Sequence, residues 1–171
     1  MPKSNRVLAG LLAVLFVAFL FTIRDVMEQR IIEAGDTAPK FSVKTENGQQ
    51  IARSEFPGKL LMVNFWATWC PPCVEEMPSL NQFAQAMGPE GITVLGISID
   101  RNEKAYREFL QRNQLQFLVA RDPEENISSS YGTFKWPETY VINREGKVVQ
   151  KFVGPRDWTD PKIVNSIRAL L

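Results

Sequence analysis

Leu60 to Trp66 (LLMVNFW) is an uncharged, mainly apolar run of strand length that feeds a short aromatic turn and then Cys70-Pro71-Pro72-Cys73. From Pro71 onward, Val74, Met77, Leu80, Phe83, Ala84 and Met87 recur at helical spacing until Gly88-Pro89 stops the pattern. The chain is therefore committed to a strand-turn-helix unit with its first cysteine at the start of the helix. A helix N-terminus carries a partial positive charge and unpaired amides, so a thiolate there is stabilised. Cys70 is expected to be the exposed nucleophile. Cys73, one turn inside, can close a disulfide or resolve a mixed one.

These are the only two cysteines, and there is no histidine. Two cysteines three apart cannot staple distant parts of a chain, so a structural disulfide framework is excluded. The lack of histidine removes Ser-His-Asp and Cys-His catalysis. A zinc site wants four ligands, and Cys70 and Cys73 supply two. Copper held by Cys70, Cys73 and Met77 is conceivable but lacks an imidazole. The net charge is +1, with no long run of either sign. That balance gives no reason to expect nucleic acid and points to protein or small-molecule partners.

Val7 to Ile23 has no charged residue. As a helix it would span roughly 26 Å, the short end of what crosses a bilayer. Lys3, Arg6 and the terminal amine precede it, which favours a cytoplasmic N-terminus. The exit, Phe21-Thr22-Ile23-Arg24-Asp25, suits a signal peptidase poorly. The reading is a cytoplasmic N-terminus over 1–6, a transmembrane anchor over 7–23, a polar stalk over 24–37 and one domain over 38–171. A cleaved signal and a buried core helix are the competing readings. The first two of these three place the domain outside the cytoplasm.

Within 38–171, Asn47-Gly48 between two strand-like runs signals a hairpin. Ile92 to Ile99 reads as a second buried strand, Glu103 to Arg112 as a helix, Phe117 to Ala120 as a short strand and Asn126 to Tyr131 as a short helix. Thr139 to Ile142 and Val148 to Val153 read as strands joined at Arg144-Glu145-Gly146. Asp160-Pro161 places an N-cap and a first-turn proline before a last helix. Strands and helices alternate and a hairpin with a closing helix follows, so the class is α/β, layered around one sheet.

The stretch Asn64-Phe65-Trp66-Ala67-Thr68-Trp69-Cys70-Pro71-Pro72-Cys73, followed by Glu75-Glu76-Met77-Pro78, resembles the thioredoxin superfamily, and within it the TlpA/ResA-like branch. That branch comprises membrane-tethered extracytoplasmic oxidoreductases, including the CcmG (DsbE) proteins of cytochrome c maturation. The match runs from about Gly35 to about Gly154. It implies a thioredoxin-like fold, a central mixed sheet flanked by helices, with an N-terminal β-hairpin and a central strand-helix insertion between Gly91 and Tyr131. Pro78 matches the proline that kinks the active-site helix. Trp136-Pro137-Glu138-Thr139-Tyr140-Val141-Ile142 matches the segment whose cis-proline faces the disulfide, which makes Pro137 a site residue. Trp69 and Trp136 are then candidates to contact a substrate, and Trp136 either narrows the groove for a partner strand or simply packs. Thioredoxin has a buried aspartate where this chain has Asn64. Glu76 matches an acidic residue that the branch keeps near the cysteines, and it is a candidate proton acceptor for Cys73. Its plain alternative is a first-turn acid favoured by the helix dipole.

Pro71 and Pro72 have no backbone N–H, so the Cys70 thiolate loses two possible donors. A less stabilised thiolate makes the pair a better reductant. The expectation is a reductase of protein disulfides in an oxidising compartment, using no cofactor beyond the Cys70–Cys73 disulfide. The resemblance implies its partners: apocytochrome c, its maturation factors or copper-site proteins as clients, and a membrane thiol electron donor. Disulfide oxidation or isomerisation is the alternative direction. A peroxiredoxin-like peroxidase would place a threonine three before its cysteine, where this chain has Ala67. An anchored chaperone or copper carrier is the non-enzymatic reading.

Overall fold

The computed structural model describes residues 3–28 and 31–171, with side chains from 10 to 23 and from 31 onward. It divides into two compact units, 1–30 and 31–171. The first holds one helix, α1 (Lys3–Glu28). Leu11, Leu12, Val14, Phe16, Phe19 and Phe21 on it are all exposed. Among the described residues no helix is long and apolar enough to cross a membrane. The side chains at 7–9, which belong to the expected 7–23 span, lie outside the described residues.

The second unit contains a small hairpin, β1 (Ser42–Lys44) with β2 (Gln50–Ala52), and a five-stranded mixed sheet. Gly48 turns the hairpin at φ 85, a conformation that glycine adopts at little cost. The sheet comprises β3 (Leu60–Trp66), β4 (Ile92–Ser98), β5 (Leu118–Arg121), β6 (Glu138–Asn143) and β7 (Val148–Val153), in the order β5-β4-β3-β6-β7. β3 pairs parallel with β4 and antiparallel with β6. It is therefore central, and every one of its seven residues is buried. Helices α2 (Pro71–Met87), α3 (Glu103–Asn113), α4 (Asn126–Ser130) and α5 (Pro161–Arg168) complete the unit.

Alternate β3 residues feed opposite layers, as a strand covered on both faces requires. Leu60, Met62 and Trp66 join Met77, Leu80 and Phe83 of α2, with Tyr106, Trp158 and Ile167. Leu61, Val63 and Phe65 join Ile51, Tyr131, Tyr140 and Ile142. The segment matched to an insertion contributes β4, α3, β5 and α4, so two of its pieces are sheet strands.

The stretch from 31 to 37, read from sequence as the end of a stalk, is instead part of the second unit. Its polar composition suggested a tether, but its backbone is paired. Ile32 N–H donates to Tyr131 O (3.1 Å), Gly35 N–H to Val148 O (2.8 Å) and Val148 N–H to Asp36 O (2.9 Å). Thr37 bridges Lys147, and the side chain of Ile32 is buried. Strand ends shift by one residue from expectation at β5 and β6, where the register begins at Leu118 and Glu138.

Candidate active site

β3 carries the chain up to the turn 67–70, where Cys70 N–H donates to Ala67 O at 3.2 Å. Cys70 is the N-cap of α2, and Pro71 and Pro72 occupy its first positions. Cys70 and Cys73 form a disulfide with their Cα atoms 5.3 Å apart. Cys73 N–H points at Cys70 Sγ, 3.3 Å away. The expected exposed nucleophile is mostly covered, with Cys70 only 7% exposed and Cys73 fully buried. Cys70 packs with Trp66 and Ala67 at the margin of the α2-side core, which accounts for the difference.

Trp69, directly before Cys70, is 60% exposed and meets Trp136 edge-on with ring centroids 6.1 Å apart. Trp136 is half-buried, touches both core layers, and keeps its buried indole N–H without a partner. The Trp136–Pro137 peptide is cis, and Pro137 is buried. The β3–β6 register ends by pairing Phe65 with Glu138, so Pro137 immediately precedes the paired end of β6, next to the strand that leads to Cys70.

Glu76 lies on the buried face of α2, one turn beyond Cys73. Glu75 is exposed and Glu76 is 3% exposed. Glu76 Oε1 accepts from Asn64 Nδ2 at 2.8 Å. Its Oε2 accepts from Arg156 N–H at 3.0 Å and Trp158 Nε1 at 3.1 Å. Burial pushes its carboxyl above the ordinary value, and these donors together with the Arg156 charge pull the other way. A buried carboxylate with a raised pKa can take a proton from a thiol on the same helix face. Asn64 also donates to Thr139 Oγ1 at 2.9 Å, which ties α2 and β3 to β6. Pro78 sits exposed inside α2, which continues to Met87.

Several neighbours were not found from sequence. Asp100, 1% exposed just after β4, accepts from Thr68 N–H (2.9 Å) and Thr68 Oγ1 (2.7 Å). Glu138, next to Pro137, is buried and paired with Lys151 Nζ at 3.1 Å. Arg156 and Trp158 reach Glu76 from the loop after β7. All are remote in sequence from the cysteines and arrive through strand pairing or the return of the chain after β7. The signals available were faint: an acid closing a buried strand at Asp100, and an acid inside the matched Trp136–Ile142 segment at Glu138. Among the described residues no group of three or more Cys, Asp or Glu is placed to hold a metal.

The Redoxin family pattern matches residues 33–168. The chain belongs to the Redoxin family. A thiol-disulfide oxidoreductase ResA of Bacillus thuringiensis is 32% identical to this redoxin over 89% of the chain and 90% of that protein. ResA of Bacillus subtilis is 30% identical over 90% and 88%. Among solved structures, a thiol:disulfide interchange protein of the thioredoxin family from Chlorobium tepidum has a TM-score of 0.65 at 30% identity, covering 81% of this chain and 97% of that one. StoA from Bacillus subtilis, 21% identical with a TM-score of 0.65, shares the fold over 77% and 96%. Within the thioredoxin superfamily this redoxin is TlpA/ResA-like. It is a thiol-disulfide oxidoreductase with a Cys70–Cys73 pair.

Proposed function

We propose that this redoxin is a membrane-anchored, extracytoplasmic reductant of protein disulfides that serves cytochrome c maturation or a related redox assembly. The observation that carries the direction is the start of α2. Cys70 Sγ faces one backbone donor from its own helix, Cys73 N–H, because the two intervening residues are prolines. A thiolate supported by fewer donors is less stable, and the reduced form is correspondingly readier to give up its electrons. The charge-free run 7–23 and the apolar side chains exposed around α1 support an anchor. A helix apolar on every side suits lipid rather than water. Lys3 and Arg6 favour an inner-membrane orientation with the N-terminus in the cytoplasm and the domain in the periplasm or its equivalent.

In this reading reduced Cys70 attacks a client disulfide and one client sulfur leaves as thiolate. Cys73, its proton passing to Glu76, then attacks Cys70 Sγ. The second client sulfur leaves, and the Cys70–Cys73 disulfide closes. Two electrons pass to the client, which ends as a dithiol. A membrane thiol donor returns two electrons to the pair, and no further cofactor takes part. Trp69 and Trp136, beside the buried cis-Pro137, form the surface where the client strand lies.

The test uses reduced full-length chain in detergent and an oxidised Cys-x-x-Cys-His peptide of the haem-attachment type. The chain is expected to reduce the peptide. Cys70→Ser abolishes the reaction, and Cys73→Ala stops at a mixed disulfide through Cys70. Net oxidation of a reduced peptide by the disulfide form, with no reaction in the other direction, would reverse the assignment.

A further inference from the structure

Asp100 is held in a way that the reaction described above does not use. Its carboxylate accepts from Thr68 N–H at 2.9 Å, Thr68 Oγ1 at 2.7 Å and Ser98 Oγ at 2.6 Å. Asp100 N–H returns a bond to Ser98 Oγ at 3.0 Å, and Ile99 N–H donates to Trp66 O at 3.0 Å. The end of β4 is thus stitched to the end of β3 and to the corner of the turn that delivers Cys70. Asp100 and Ser98 are both essentially inaccessible to solvent. All three donors are neutral, and no cation pairs with Asp100 among the described residues.

Of the other charged groups on the elements around this turn, Glu75 of α2 is exposed to solvent, and the following are engaged elsewhere. Glu76 is bonded to Asn64, Arg156 N–H and Trp158. Asp122 accepts from the backbone N–H groups of Asn126, Ile127 and Ser128. Arg101 pairs with Glu125, and Lys151 with Glu138 and Glu33. Asp100 is the carboxylate bonded into the turn itself. Its partner Thr68 lies two residues before Cys70, at a helix N-terminus that favours an anion, whereas a like charge close by disfavours one.

We propose that Asp100 is a positioning residue that fixes the 67–70 turn through Thr68 and, by its charge, holds back the Cys70 thiolate. The inference rests on Cys70 being the attacking thiol. It gives the donor-poor helix start a partner from β4 acting in the same direction. Ser98 moderates the effect, because its hydroxyl neutralises part of the carboxylate.

The experiment measures iodoacetamide alkylation of the reduced full-length chain in detergent at neutral pH. Mass analysis assigns the modified cysteine, and ultraviolet thiolate absorbance follows the titration. In alkylation the thiolate sulfur forms a bond to carbon and iodide leaves. Asp100→Asn is expected to lower the Cys70 midpoint by about one unit. Tenfold more thiolate, offset by its lower intrinsic nucleophilicity, gives alkylation about threefold faster. Ser98→Ala leaves the carboxylate less neutralised and should shift both readings the opposite way. A purely structural tether would leave the midpoint in place or move both variants in the same direction, and either result overturns the proposal. Should Asp100→Asn not fold, Ser98→Ala decides alone, and unchanged or faster alkylation overturns it. First modification at Cys73 in the unaltered chain refutes the nucleophile assignment, which the mass analysis separates from a failure at Asp100.

Discussion

Glu76 is a carboxylate inside a core layer, reached by three hydrogen-bond donors, and its burial raises its pKa above the ordinary 4.5. In the unfolded chain it ionises at the ordinary value, so over the interval between the two values the folded state binds the extra proton. The stability it contributes is present below pH 4.5 and is lost as pH rises through the folded value. Glu76→Gln removes that dependence. Urea unfolding should show the variant gaining on the unaltered protein as pH is raised from acid to neutral. Asn64 Oδ1 is buried and unpartnered, so an amide flip can accept from the new Gln amide and limit the structural cost. The resolving step should nevertheless slow by about tenfold or more, read as slower release of the mixed disulfide. Equal rates for the two proteins would remove Glu76 from the chemistry. At this scale the sequence showed the cysteines plainly, because their motif is local. Asp100 and Trp158 were not legible, since parallel pairing across 32 residues and the return of the chain after β7 bring them in.

At the scale of elements, α2 was readable from its periodicity and β3 from its length. Both follow from local pattern, and the structure places them at Pro71–Met87 and Leu60–Trp66. Leu80 is fully buried between α2 and the sheet. Leu80→Ala should cost about 3 kcal/mol in chemical denaturation. Asp160 caps α5, accepting from Lys162 N–H at 2.8 Å ahead of Pro161. Asp160→Ala should cost about 1 kcal/mol and leave thiol chemistry unchanged. The one-residue shifts at β5 and β6 were not legible, because register depends on the neighbouring strand. Leu118 begins where Leu95 offers a partner, and Glu138 where Phe65 does.

For the whole molecule, the sequence reads as a short N-terminus, an anchor, a stalk to residue 37 and a domain from 38, whereas the second compact unit begins at Ile31. A polar sequence with one glycine reads as a tether, and backbone hydrogen bonds to Tyr131 and Val148 leave no mark on composition. Glu33 adds a bond to Lys151 Nζ at 3.0 Å. A fragment starting at residue 31 should therefore be more stable than one starting at 39 by about 2–4 kcal/mol, from burial of Ile32 and the paired backbone groups. Equal unfolding midpoints would return this stretch to the status of a stalk.

The central claim is that the Cys70–Cys73 pair is built to reduce. The direct measurement equilibrates the 31–171 fragment with thiol-disulfide buffers and reads the two cysteines by alkylation and mass. A potential near or below the roughly −270 mV of thioredoxin is the predicted result. A value near the roughly −120 mV of a strong periplasmic oxidant would contradict it and make the pair a donor of disulfides.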